Sequence, residues 1–331
     1  MRILLLGGTG WLGRAIARSA AAAGHDVTCL ARGVSGRAVD GLRFVRADRD
    51  EPDAYASVAG DRWDAVIDVS RQPGQVRSAV AALADVTERW AFVSTGNVYA
   101  SHRRTGDDED APLLEPLEGD VMASMEEYGA AKVACERAVL DGLGARAVIA
   151  RAGLIGGPGD ESGRSGYWPW RFAHPSNRAG AVLVPEASLP TSLIDVRDLA
   201  GWLVGAVTDT PVSGVYDAIA NRMGLAEHLA VARAVAGHAG PVEAVSDAWL
   251  NEREVAEWMG PRSLPLWLSD LDWHGFAGRR GERILARGFR PRPLAETLAD
   301  TLAWEEARGV PGPHGAGLTD AEERSLLGAL R

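Results

Sequence analysis

The sequence predicts an α/β protein: a doubly wound parallel sheet with a smaller, discontinuous C-terminal substrate-binding lobe. Two patterns predict this fold class. Short apolar runs alternate with helical stretches through the first half of the chain. A glycine-rich turn, GGTGWLG, follows the first apolar run and opens the first helical stretch. The 331 residues, of which 46% are apolar and 24% charged, suffice to bury a sizeable core.

The chain opens with a strand, a glycine turn, a helix and a second strand. Residues 3–6 are continuously apolar, residues 14–24 are alanine-rich and end in glycine, and residues 25–30 read HDVTCL. Such a unit binds dinucleotides, because the helix N-terminus faces the pyrophosphate and glycines let the backbone approach it. The spacing is GxxGxxG rather than GxGxxG, and a tight turn in another α/β fold is the alternative. The residues predicted to surround the cofactor here are Gly7, Gly10, Trp11, Leu12 and Gly13.

The end of the second strand distinguishes NAD from NADP. An Asp or Glu there holds the ribose hydroxyls of NAD, whereas a nearby Arg accommodates the 2′-phosphate of NADP. This strand ends LARG, so Arg32 favours NADP(H) over NAD(H), with a chance surface arginine as the alternative. The stretch FVRAD then predicts a third strand ending at Asp48, which would receive the adenine amino group or cap the loop.

Further strands are predicted at 65–70, 90–96 and 145–153, with a helix between the first two. The stretch PTSLIDVRDLAGWLVGAV predicts a strand and a helix that rejoin the main sheet. The dinucleotide-binding domain therefore spans residues 1–157 plus about 189–218, and the substrate-binding lobe spans 158–188 plus about 219–331. Aromatic residues at 168–172 either line a pocket or pack the core of this lobe, and DDED (107–110) is predicted to be a solvated loop.

A catalytic constellation is predicted at the carboxyl ends of the strands, where ligands bind in such sheets. Tyr128 and Lys132 lie four residues apart in a helical stretch, so both side chains project from one face. Thr95 ends a predicted strand at the same edge of the sheet as the glycine turn. A phenol has a pKa of about 10, which an adjacent ammonium lowers, so Tyr128 could exchange a proton with a substrate oxygen.

Lys132 is the only lysine in the chain, since arginine fills the other positions among 35 basic residues. A compact ammonium with three donors can contact a phenol oxygen and ribose hydroxyls together, which a planar guanidinium cannot do. We therefore predict that the site requires an ammonium here, with coincidence as the alternative.

Together, GGTGWLG, STGNVY, YGAAK and RAGLIGGPGD resemble the extended short-chain dehydrogenase/reductase superfamily, in its epimerase/dehydratase-like branch. The resemblance implies a Rossmann domain, an NAD(P) cofactor, and hydride transfer at a carbon that bears oxygen. It also implies a homodimer. Carried over to this chain, Thr95 is the site hydroxyl, Tyr128 the acid/base, and Lys132 the partner of Tyr128 and of the cofactor ribose.

Two departures from the family pattern narrow the function. Gly96 and Asn97 stand where the sugar-nucleotide dehydratases have an Asp-Glu pair, and Leu154 stands where the epimerases tend to have Asn. Both favour a reductase or dehydrogenase acting on a less polar substrate. An epimerase and a non-catalytic NAD(P)-binding regulator are the alternatives. Atypical branches of the superfamily bind RNA, but intact Thr95, Tyr128 and Lys132 argue against that function.

Composition limits the partners. The formal net charge of −10 argues against a nucleic acid or an anionic membrane as the main partner, which leaves a small molecule. Cys29 and Cys135 form no CxxC pair and the seven histidines lack metal-ligand spacing, so neither a disulfide framework nor a metal site is predicted. The apolar run at the start is too short for a signal peptide, and a cytoplasmic location is expected.

Overall fold

The computed structural model describes residues 1–186, 189–209, 211–309 and 315–330. Its helices and strands are numbered in chain order. The strands are β1 (Arg2–Leu6), β2 (Asp26–Ala31), β3 (Arg43–Arg46), β4 (Trp63–Asp68), β5 (Thr87–Thr95), β6 (Ala147–Ala152), β7 (Ile155–Gly156), β8 (Val182–Pro185), β9 (Pro190–Thr191), β10 (Ile194–Asp195), β11 (Gly214–Ala218), β12 (Met223–Gly224), β13 (Val242–Val245), β14 (Ala256–Trp258), β15 (Gly260–Pro261), β16 (Ser263–Pro265) and β17 (Ala316–Gly317).

The helices differ widely in length, from one turn to four. They are α1 (Trp11–Ala22), α2 (Pro73–Leu83), α3 (Tyr128–Leu143), α4 (Tyr167–Ala173), α5 (Val196–Val207), α6 (Leu225–Val235), α7 (Asp247–Glu252), α8 (His274–Ala277), α9 (Glu282–Ala286), α10 (Leu294–Ala307) and α11 (Asp320–Gly328). Among the described residues, no helix is long and apolar enough to cross a membrane.

Seven parallel strands form one sheet in the order β11-β6-β5-β4-β1-β2-β3. Successive side chains of β1 enter different cores, because neighbours on a strand point to opposite faces. Ile3 and Leu5 pack with α1 and α5 on one face, while Leu4 and Leu6 pack with α2 and α3 on the other. Burial on both faces explains the continuous apolar runs of the sequence and confirms the predicted fold class.

The return to the sheet differs from the sequence prediction. A strand that rejoins the sheet is predicted within PTSLID, but β9 and β10 lie outside the main sheet, where β9 pairs with β12 and β10 with β7. The strand that rejoins the sheet is β11, which pairs with β6. The predicted boundary at 188/189 adjoins residues 187–188, which lie outside the described ranges, and the division into two domains stays a prediction.

The aromatic residues at 168–172 contribute to a second core in the C-terminal half of the chain. Trp168 and Phe172 are buried there, and the Trp168 indole donates to the carbonyl oxygen of Pro265 at 2.7 Å. The core interpretation of these two side chains is therefore correct.

The prediction of a solvated loop at 107–110 is wrong for Glu109. This side chain is 8% exposed, accepts a hydrogen bond from the backbone N–H of Asp217 at 2.8 Å, and pairs with Arg283 at 3.2 Å. Long-range partners that a run of charges cannot reveal offset part of the desolvation cost of this burial.

Candidate active site

The glycine turn between β1 and α1 is close-packed at one position and open at another. Gly7 has φ +106°, a conformation that side chains disfavour. A Cβ on Gly13 would lie 2.1 Å from the carbonyl oxygen of Gly7, so only glycine lets the helix approach the strand. At Gly10, by contrast, a Cβ would meet no protein atom within 4 Å.

The first turn of α1 faces this open space and can receive an anion. Gly10 caps the helix without a side-chain hydrogen bond, and the first turn contains no acidic residue. Backbone N–H groups at a helix N-terminus are left without intrahelical partners and carry partial positive charge. The turn therefore fits the pyrophosphate of a dinucleotide, because it offers donors, positive potential and space for close backbone approach.

The two residues predicted to contact the adenosine half lie beside each other. Arg32 follows β2, and its Nη1 atom lies 3.9 Å from a carboxylate oxygen of Asp48, which follows β3. Both side chains are substantially exposed, so this pair is weak and either group can turn to a ligand. Asp48 also accepts the backbone N–H of Asp50 at 3.2 Å, a loop-capping contact.

Lys132 is fixed by the ends of two strands. Its Nζ atom donates to the carbonyl oxygens of Ser70, after β4, and of Val93, in β5, at 2.6 Å each. It also lies 4.6 Å from the centroid of the Phe92 ring, and the side chain is 3% exposed. An ammonium has three donors, so one remains for a ligand in the adjoining cavity.

Tyr128 and Thr95 lie on different elements at this edge of the sheet. The helix predicted around Tyr128 begins at that residue, after a single 3₁₀ turn at 125–127, so Lys132 follows one helical turn later on α3. Thr95 ends β5, and its hydroxyl accepts the backbone N–H of Asn97 at 3.2 Å. No described residue accepts the hydroxyl hydrogen of Thr95, which leaves it available to an acceptor in the cavity.

A cavity of about 630 Å³ brings these predicted residues together. Trp11 and Leu12 from the glycine turn line it, as do Thr95, Tyr128 and Lys132. The three predicted glycines, Arg32 and Asp48 are not among its lining residues. Within the described ranges, no group of three His, Cys, Asp or Glu residues could hold a metal ion.

A buried ionic network supports α3 from behind the cavity. Glu136 follows Lys132 by one turn and receives Arg151 of β6 in a forked contact, with Nη2 to Oε2 at 2.8 Å. The hydroxyl of Ser94, adjacent to Thr95, donates to the same carboxylate. Both partners are almost fully buried, so their mutual pairing is needed to offset desolvation. This network fixes α3 against β5 and β6, the strands that flank the cavity.

Sequence reasoning missed the far wall of the cavity, which is aromatic. Trp258 in β14, Trp273 just before α8, and Phe276 in α8 line it. The Phe276 ring lies 5.9 Å from that of Trp258 and 6.4 Å from that of Trp273, edge-on to both. These residues come from a segment more than 120 positions after Tyr128 without a motif, so nothing in the local pattern identified them.

His102 packs behind this wall. Its ring stacks on Trp273 at 5.0 Å, and burial, with a smaller contribution from Arg279, lowers the pKa of His102 to about 4. The imidazole is therefore neutral at physiological pH and serves as an aromatic support.

Arg164 was also missed, and it lies near Asp160 and Tyr128, of which Asp160 has the larger electrostatic effect on it. It lines the cavity and places its guanidinium carbon 5.7 Å from the centroid of Trp258. Burial lowers the pKa of Arg164 from its usual value, although the group stays charged at neutral pH.

Comparison with known proteins identifies the family. The model of the NAD-dependent epimerase/dehydratase family matches residues 3–217. The chain is 32% identical over 233 residues to 2′-dehydrokanamycin reductase of Streptomyces kanamyceticus. That alignment covers 67% of this chain and 62% of the relative, so the chain spans less than two thirds of the relative's length.

Solved structures agree with this assignment. The Bordetella bronchiseptica enzyme WbmG, in complex with NAD and UDP, gives a TM-score of 0.67 at 17% identity, covering 96% of this chain and 98% of that one. UDP-glucose 4-epimerase of Thermus thermophilus, in complex with NAD, gives 0.61 at 19% identity, covering 94% and 100%. At these identities the structures establish the Rossmann-type fold. With a family model that matches well over half of its length, the chain belongs to the NAD-dependent epimerase/dehydratase family.

Proposed function

We propose that the protein is an NADP(H)-dependent oxidoreductase that reduces a carbonyl, or oxidises the corresponding alcohol, on a small organic metabolite. One observation carries the proposal: Trp11 and Leu12, which follow the glycine turn, line the same cavity as Thr95, Tyr128 and Lys132. The similarity to a reductase supports it as well. Leu154, which also lines the cavity and is 4% exposed, makes the wall less polar than an amide side chain would.

The proposed roles follow from the donors available in the cavity. When bound, the cofactor supplies or accepts a hydride at the nicotinamide ring. Tyr128 gives a proton to the substrate oxygen during reduction and takes it back during oxidation. Thr95 donates a hydrogen bond to the same oxygen, and Lys132 uses its remaining donor on the nicotinamide ribose.

The preference for NADP(H) depends on Arg32, which would pair with the 2′-phosphate. Replacing Arg32 with Glu places like charge next to that phosphate and beside Asp48, so NADPH affinity should fall at least tenfold while NADH affinity changes little. Fluorescence titration with both cofactors measures the ratio. Equal losses for the two cofactors, or none for NADPH, would refute the preference.

An epimerase is the second candidate, favoured by the fold similarity to a UDP-glucose 4-epimerase. The two reactions differ in their cofactor balance. An epimerase returns the hydride to its substrate and turns over with no net change in absorbance at 340 nm, whereas a reductase consumes one NADPH per product. Turnover without added cofactor would favour the epimerase. A non-catalytic regulator would bind cofactor and convert no substrate.

A further inference from the structure

The cavity has a charge opposite to that of the molecule around it. The chain contains 45 acidic and 35 basic residues, yet the cavity lining includes Arg71, Lys132 and Arg164 and, among the residues described, no Asp or Glu. Lys132 is already engaged with two carbonyl oxygens, and Arg71 is exposed at the rim. Arg164 is half-buried and lies near Tyr128, and the role of its charge in the cavity needs an explanation.

The loop 160–165 holds Arg164 in place without forming an ion pair with it. The Asp160 carboxylate accepts four hydrogen bonds, from the backbone N–H and hydroxyl groups of Ser162 and Ser165, at 2.6 to 3.2 Å. The Ser162 hydroxyl in turn accepts the Nε–H of Arg164 at 3.1 Å. Asp160 therefore makes its hydrogen bonds within the loop. Its charge still acts on Arg164, but no described carboxylate lies within ion-pair distance of the guanidinium.

The terminal nitrogens of Arg164 are the donors left over. Neither Nη atom has a hydrogen-bond partner among the described residues, and the side chain lines the cavity. An unpaired guanidinium, partly removed from water, is costly to keep. Its fork of donors matches a carboxylate in two parallel hydrogen bonds, so an anionic ligand group would offset that cost.

The wall beneath Arg164 adds a second requirement on the ligand. Trp258 lies under the guanidinium with Phe276 edge-on to it, and Trp273 continues the wall. Trp258 has φ +65°, a left-handed conformation that costs about 1–2 kcal/mol for a residue with a side chain. Strained backbone that presents a bulky ring to a cavity is typical of a ligand-binding position. A flat apolar group stacks well on such a surface.

We infer that the substrate of this site carries a carboxylate, bound by the Arg164 guanidinium, and an aromatic or similarly flat apolar body packed against Trp258, Trp273 and Phe276. The inference depends on the proposed function in one respect only, that the ligand in the cavity is the substrate. Arg164 is then a specificity-determining residue. Neutral and cationic analogues bind poorly because they leave the guanidinium desolvated and unpaired.

The test compares an anion with its neutral isostere in the NADP⁺-bound protein. Calorimetric titration with phenylacetate and phenylacetamide should give an affinity at least tenfold higher for the acid in the wild type. Arg164→Gln should abolish that difference, Arg164→Lys should keep part of it, and NADP⁺ affinity should stay unchanged in both. Arg137→Gln, which removes an exposed charge on α3, is the matched control and should bind both probes as the wild type does.

Several results would overturn the inference. One is equal affinity of the wild type for the two probes, and another is absence of binding by either probe. A third is that Arg164→Gln loses NADP⁺ affinity but still prefers phenylacetate to phenylacetamide, which would assign the arginine to the cofactor. Reduction assays with benzoylformate and its methyl ester separate this inference from the proposed function. Arg164-dependent binding without reduction defeats the function alone, and equal reduction of acid and ester by both proteins defeats the inference alone.

Discussion

The proposed chemistry depends on Tyr128, which is the only phenol that lines the cavity among the residues described. Replacing it with Phe removes the proton donor and leaves the ring. We expect the rate to fall at least a hundredfold with cofactor affinity nearly unchanged. Steady-state kinetics and a cofactor titration measure the two quantities.

Tyr216→Phe is the control for this change. Tyr216 lies on β11, at one edge of the sheet, and its hydroxyl donates to the carbonyl oxygen of Ser213 at 2.9 Å. Tyr216 does not line the cavity. Losing that hydrogen bond costs about 1 kcal/mol of stability and should leave turnover intact. Full turnover by Tyr128→Phe would remove Tyr128 from the mechanism.

Lys132 shows why one position retains an ammonium in an arginine-rich chain. Two carbonyl oxygens at 2.6 Å and the Phe92 ring enclose Nζ, and a planar guanidinium cannot enter without displacing them. We expect Lys132→Arg to lower the melting temperature and to reduce cofactor affinity at least tenfold. Calorimetry and cofactor titration check both. Wild-type stability and affinity in this variant would show that the site does not discriminate between the two cations.

Some site residues could be predicted from sequence because their relationship is local. Tyr128 and Lys132 are separated by one helical turn, a spacing that survives an error in the start of the helix. Arg164 was not predicted, because its significance is that its guanidinium has no ion-pair partner among the described residues. From the sequence, Asp160, only four residues away, would be taken as that partner. The structure shows that Asp160 instead accepts hydrogen bonds from Ser162 and Ser165 and forms no ion pair with Arg164.

At the scale of elements, the glycine turn provides a matched pair of substitutions. Gly10 has φ −73° and ψ 168°, which alanine adopts freely, and its Cβ would enter open space. Gly10→Ala should therefore keep wild-type stability but lose cofactor affinity, because the methyl group occupies the space assigned to the pyrophosphate. Thermal unfolding and cofactor titration separate the two effects.

Gly13→Ala should behave differently. Its Cβ would overlap the Gly7 carbonyl oxygen, which forces α1 away from β1 and lowers the free energy of unfolding by about 1–3 kcal/mol. Gly205→Ala in α5, where a Cβ also meets nothing within 4 Å, controls for the substitution itself. If Gly10→Ala binds cofactor as well as Gly205→Ala does, the turn is not the pyrophosphate site.

The strands of the sheet and the helices that flank it could be predicted, because strands buried on both faces, such as β1, β4 and β6, consist mostly of apolar residues. The segment 190–195 could not. It has the residues of a strand, but β10 pairs with β7 over two residues outside the sheet, and β11 occupies the edge beside β6. The path of the whole chain decides which strand occupies the edge of a sheet, so local strand propensity cannot predict it.

At the scale of the whole molecule, a buried histidine makes stability depend on pH. His228 in α6 is 1% exposed, and neither ring nitrogen has a hydrogen-bond partner among the described residues. Burial lowers its pKa to about 4. The unfolded chain therefore binds more protons between about pH 6.5 and about pH 4, and the free energy of unfolding falls as pH falls through this range. Between about pH 7.5 and about pH 5, His228 should contribute roughly 2 kcal/mol to that loss.

Urea unfolding of the wild type and of His228→Leu at both pH values measures this contribution. The variant should lose less stability on acidification, because the remaining dependence then comes from other groups such as His102. An identical pH dependence in the two proteins would show that His228 is protonated without cost in the folded state.

The net charge of the molecule and the charge of its cavity have opposite signs, and the proposed function uses this contrast. A cavity lined by cations within an acidic protein favours anionic ligands over cationic ones. The aromatic wall and Arg164 then select among substrates. Sequence composition alone indicated a small-molecule partner, but the sign reversal at the cavity appears only when residues 71, 132 and 164 come together.

The most direct test of the central claim follows the hydride itself. NADPH deuterated at C4 of the nicotinamide is incubated with the protein and a panel of carbonyl compounds, and the products are analysed by mass spectrometry. An oxidoreductase site containing Tyr128 predicts deuterium on the carbinol carbon of a product in the wild type, and at least a hundredfold less in Tyr128→Phe. Deuterium that never leaves the cofactor across the panel, or that transfers equally in Tyr128→Phe, would contradict the account.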